Sequence, residues 1–114
     1  MKIMFDTIFL TYVSIIMIFE LAGQYLFKRF HNNEGASDIL IVLGMLSFSI
    51  SSFFVFKILK YGTLGITNII WHLVHFLAIF LIGYYVFGEK LTTTQGIAVL
   101  FGIISIVMFM LNDV

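Results

Sequence analysis

Hydrophobic and polar positions separate along this chain into long blocks, with charges at the block ends. Thr7 to Phe27 lies between Asp6 and Lys28, and apart from tyrosines its one ionisable group is Glu20. Ile39 to Phe56 runs from Asp38 to Lys57. Leu64 to Phe87 follows Lys60-Tyr61-Gly62 and stops at Gly88-Glu89-Lys90, and Thr92 to Leu111 stops at Asn112-Asp113. The four blocks (7–27, 39–56, 64–87 and 92–111) hold 21, 18, 24 and 20 residues. About 20 residues of helix cross a hydrocarbon core of about 30 Å. Barrel strands are shorter and alternate in polarity, so the blocks predict helices. The first block is too long for a cleaved signal peptide, contains Glu20 and lacks a small-residue cleavage site. Residues 28–38, with His31-Asn32-Asn33-Glu34-Gly35, read as a polar loop. The pattern predicts an all-α integral membrane protein. One domain (1–114) would carry four transmembrane helices with both termini on one side.

Composition supports this reading. Of 114 residues 61 % are hydrophobic and 11 % charged, against about 25 % charged in a soluble domain. A soluble chain this short leaves much of its area exposed and cannot hide so much apolar surface. A soluble enzyme is therefore not expected. Six Lys+Arg against six Asp+Glu leave no basic field for nucleic acid. Without Cys there is neither a disulfide framework nor a thiolate metal site. The lipid bilayer is the expected surroundings, the cell (plasma) membrane the expected location.

Charge by side is more informative than total charge. Lys2, Lys57 and Lys60 fall on the terminus side, and Lys28, Arg29 and Lys90 on the other. The positive-inside rule counts these residues and largely ignores acids, and here it returns a tie. Either another feature orients the protein, or copies insert both ways and pair antiparallel.

Glu20 carries the candidate chemistry. It lies 7 residues, about 10 Å, from the end of its block. An acid at that depth costs roughly 2.5–3.5 kcal/mol on insertion scales and is functional by default. Ile16, Met17, Gly23, Gln24 and Phe27 share its helical face. Gly23 removes bulk beside the carboxylate, and Gln24 adds an amide that can bond to it or to a partner. Lipid disfavours a bare carboxylate, so the acid would hold a proton until a cation approaches. The alternative is a structural Glu paired with His or Gln.

The third block supplies a second polar stripe, with Asn68, Trp71, His72 and His75 at i, i+3, i+4 and i+7. His75 and Glu20 of one chain are about 16 and 20 Å from the terminus side, close enough in level to meet. In an inverted pair Trp71 and His72 would instead lie level with the other chain's Glu20. Two carboxylates, aromatic faces and imidazoles would then form one site for a cation. Structural readings stand beside this one. The histidines can be neutral groups bonded to backbone or Glu20, Trp71 can be packing, and a His/Glu metal site has little support from the spacing. Ser47, Ser49, Ser51 and Ser52, with Phe48, read mostly as helix contacts. Ala98, Gly102 and Ser105 form a small-residue strip that suits a dimer seam. Four helices are too few to enclose an alternating path, so a transporter of this size has to be an oligomer or half of a larger assembly.

Glu20, Gly23 and Lys28, then Tyr61-Gly62-Thr63-Leu64-Gly65-Ile66 leading to Trp71, and Gly88-Glu89-Lys90-Leu91 before the last helix resemble the small multidrug resistance transporters, within the drug/metabolite transporter superfamily. The resemblance covers nearly the whole chain, with a slightly longer first loop here. It implies an antiparallel, dual-topology homodimer exchanging protons for small cationic or guanidinium-like compounds, with the proton as coupling ion and no other cofactor. It puts the essential carboxylate on Glu20, the binding-site tryptophan on Trp71 and a second-helix serine on Ser51. Where the family has tyrosines, this chain has Asn68 and Phe48, and Leu73 and His75 replace the family's Gly-x-Gly hinge. Ala22-Gly23-Gln24 also resembles small flippase subunits for lipid-linked aminosugars. That resemblance supports an alternative in which Gln24, Asn68, His72 and His75 hold hydroxyls or phosphate. A third reading is a non-transporting membrane protein that stabilises a larger complex.

Overall fold

The computed structural model describes residues 7–111, without the Met110 side chain. Lys2, Asp6 and Asn112-Asp113, used above to count charge or mark block ends, lie outside the described residues. Four helices follow one another: α1 (Thr7–Asn32), α2 (Ile39–Ile58), α3 (Leu64–Tyr85) and α4 (Thr93–Met110). The first three are long and apolar enough to cross a membrane. The last is shorter, apolar over Thr93–Phe109.

The helices do not end where the apolar blocks end. α1 continues five residues past Phe27, through Lys28-Arg29-Phe30-His31-Asn32. A block boundary marks a change of polarity and does not by itself end a helix, since Lys and Arg are good helix formers in water. Arg29 in the last turn complements the negative end of the helix dipole. The Asn33 amide donates to the Arg29 carbonyl at 2.8 Å, satisfying one of the open carbonyls. Gly35, at φ 74°, then turns the chain. α3 stops at Tyr85, two residues short of Phe87.

The Gly88-Glu89-Lys90-Leu91 motif is a turn device. Gly88 takes φ 66°, which glycine adopts without steric penalty. The Glu89 amide then donates to the Gly83 carbonyl at 3.0 Å. Its carboxylate folds over Gly83, where an added Cβ would stand 2.5 Å from Oε1. Thr92 and Gln95 start α4 as a capping box, each side chain accepting from the other's backbone amide, at 3.2 and 3.0 Å.

The described residues divide into two compact units, 7–61 with α1 and α2, and 62–111 with α3 and α4. In the first unit two heptad-spaced strips face each other. Phe9, Val13, Ile16 and Gly23 are buried on α1, and Gly44, Ser51 and Ile58 on α2. Each helix offers a glycine to the other's phenylalanine. The Phe48 ring lies against Gly23 and the Phe27 ring against Gly44, while the two rings stack with centroids 5.6 Å apart. The backbones come close as well, since a Cβ at Gly23 would stand 3.1 Å from the Gly44 carbonyl oxygen. Lipid tails are as apolar as side chains, so close contact between small residues is what holds such helices together. In the second unit Gly102 on α4 receives the Phe76 ring of α3.

Candidate functional site

The interlock places Glu20. Reading α1 backwards, Phe27, Gly23 and Glu20 step by four and three residues. Along α2, Gly44, Phe48 and Ser51 take the same steps, and the members pair in order. Antiparallel helices in this register bring the Ser51 hydroxyl to the carboxylate, where it donates to Glu20 Oε1 at 3.3 Å. Ser51 is buried (2 % exposed) and Glu20 half-buried. The hydroxyl gives the acid an orienting donor without adding charge. Ser47 and Ser49 are engaged otherwise, with hydroxyls donating to Leu43 and Met45 one turn back, at 3.0 and 2.9 Å.

The space that Gly23 leaves beside the carboxylate is taken by Phe48. Glu20, Gly23, Phe48 and Ser51 are thus brought together by one pair of helices, and Gln24 is half-buried one turn beyond Glu20. Gly44, the other half of the interlock, escaped the sequence reading. Its signal was there: Gly44-Phe48-Ser51 has the spacing of Glu20-Gly23-Phe27 in reverse.

On α3 the polar stripe is largely folded onto its own helix. The Asn68 amide donates to the Leu64 carbonyl at 2.6 Å, and His72 Nδ1 lies 2.6 Å from the Asn68 carbonyl. Trp71 stacks on His72, with centroids 4.9 Å apart and planes 20° apart. Trp71 is buried, His72 exposed and His75 half-buried. Asn68 is therefore tied to backbone. Trp71 Nε1 and Thr67 Oγ1, one turn apart on the same face, are buried with no hydrogen-bond partner among the described residues. A buried indole N–H without an acceptor costs free energy unless a ligand or water supplies one. Thr67 was missed in the sequence, although its i−4 spacing from Trp71 puts it on the stripe.

On α4 Ala98 is exposed and Ser105 half-buried, while Gly102 takes up the ring of Phe76 within its own unit. Among the described residues no three His, Cys, Asp or Glu side chains gather as metal ligands would. Comparison with protein families, with curated proteins and with solved structures finds no match to the chain.

Proposed function

We propose that this chain is a subunit of a proton-coupled antiporter in which Glu20 binds a proton and a small cationic compound in turn. The observation that carries the reading is a half-buried carboxylate inside an apolar helix, held by a buried serine hydroxyl from the next helix. One carboxylate cannot keep its proton and pair with a cation together, so the two ligands compete and their fluxes are coupled.

The working unit proposed is an antiparallel homodimer, which supplies two Glu20 carboxylates and a path that four helices cannot enclose. Trp71 offers a ring face for the cation, and Thr67 and Trp71 Nε1 offer donors to any acceptor it carries. Three helices long and apolar enough to cross a membrane support a membrane as its place of work. The test is Glu20→Gln in proteoliposomes under a pH gradient. Proton-driven uptake of a guanidinium or quaternary ammonium probe should fall at least ~100-fold, the loss expected when an essential proton carrier is removed. Insertion and dimer size should be retained. Uptake at the level of the unsubstituted protein would reject the proposal.

A further inference from the structure

The end of the α1–α2 hairpin opposite the 33–38 loop holds a cleft of about 370 Å³, lined by Tyr12, Phe56, Lys57, Lys60 and Tyr61. The transport reading makes no use of it. Among the described residues no carboxylate lines it. Lys57 and Lys60 are exposed at the end of α2, with their ammonium groups 5.0 Å from the Phe53 ring and 5.9 Å from the Tyr61 ring. The Tyr12 and Tyr61 rings, 5.8 Å apart, bring two phenols to the same cleft.

Lysines at a helix C-terminus have an ordinary use, since they offset the negative end of the dipole. That end amounts to about half an elementary charge, so two ammonium groups leave an excess of about 1.5 positive charges. That excess is enough to hold a singly charged phosphodiester, with ammonium and phenol donors for its oxygens. The surroundings select the form of the anion. Phe56, Phe53, Ile50 and Leu46 are exposed at steps of three, three and four residues along α2, starting beside the lysines. This strip covers eleven residues, ten steps and about 15 Å of helix, a length that suits an acyl chain and would serve no purpose for a free ion. Lysines and tyrosines at the end of an apolar helix also stand at headgroup level.

We propose that this cleft binds the headgroup phosphate of an anionic phospholipid whose acyl chain lies along the Phe56–Leu46 strip. The full-length protein in detergent is titrated with phosphatidylglycerol or phosphatidylcholine, and bound lipid is counted by native mass spectrometry. Lys57→Gln with Lys60→Gln should weaken phosphatidylglycerol binding about 30-fold and leave phosphatidylcholine unchanged. Lys28→Gln with Arg29→Gln removes the same charge from the other end of α1, 16 residues and about 24 Å along the helix from Tyr12. It should leave phosphatidylglycerol binding within twofold. Equal losses in both pairs, or no loss in the first, would overturn the proposal. Tyr12→Phe with Tyr61→Phe keeps the rings and removes two donors, so a several-fold loss is expected there too. If the lysine pair does not fold, unchanged binding in the tyrosine pair overturns the proposal by itself. Displacement of phosphatidylglycerol by an equal concentration of inorganic phosphate would make the cleft a site for soluble anions and reject the lipid.

Discussion

Glu20 and Ser51 form a contact between an acid and a neutral donor, and that asymmetry makes a specific demand on the serine. A 3.3 Å hydrogen bond is long, so the hydroxyl orients the carboxylate and holds its charged form weakly. Ser51→Ala should therefore weaken binding of a cationic probe about 3- to 10-fold, the range for one modest hydrogen bond, and leave transport coupled. Trp71, the one tryptophan in the chain, reports binding through its fluorescence. A loss as complete as that of Glu20→Gln would make Ser51 a second essential group and would disprove the orienting role. That Glu20 is the one acid inside its apolar block was legible in the sequence. Its partner was legible only through resemblance, because four serines lie close together on α2 and spacing within one helix cannot say which meets α1.

At the scale of elements the α1–α2 interlock sets which residues meet. Its two glycines are not interchangeable with alanine. A methyl at Gly23 would stand 2.6 Å from Phe48 Cε2 and 3.1 Å from a backbone oxygen, and the backbone cannot give way as a ring can. Gly23→Ala is expected to cost roughly 1–3 kcal/mol of stability, as overpacking does, seen as a lower thermal midpoint in detergent. It should also shift the register that brings Ser51 to Glu20, so cation affinity falls with stability. Gly65→Ala is the control, because a Cβ there meets nothing within 4 Å; equal destabilisation of both variants would show that the interlock contributes nothing. The existence of four helices was readable from the apolar blocks. Their ends were not, because α1 continues into water on its own propensity and α3 is stopped by the Gly88 turn.

For the whole molecule the open property is orientation. With four spans, three Lys/Arg would fall on each side, and such a tie predicts no net insertion bias. The chain has no cysteine, so Glu34→Cys places a single thiol in the exposed α1–α2 loop. An impermeant thiol reagent should label about half the molecules from each side of the membrane. Adding His31→Lys and Asn32→Lys raises the loop side from three to five charges and should make labelling one-sided. Transport should then be lost, and should return when a copy biased by Lys28→Gln and Arg29→Gln is expressed with it. One-sided labelling before any charge is added would reject dual topology, and with it the antiparallel homodimer.

The sequence by itself determined the helices, since long apolar blocks in a chain with 11 % charge suit a membrane, and helices are the form such blocks take in lipid. It also singled out Glu20, whose cost is a property of depth and needs no neighbour to be seen. Tertiary structure decided the company each residue keeps. The facing of Gly23 to Phe48, of Gly44 to Phe27 and of Ser51 to Glu20 depends on the register of two antiparallel helices. Periodicity within either helix constrains the face and leaves the register open. Close contact between backbones and rings selects one register, and that contact exists only once the helices have packed.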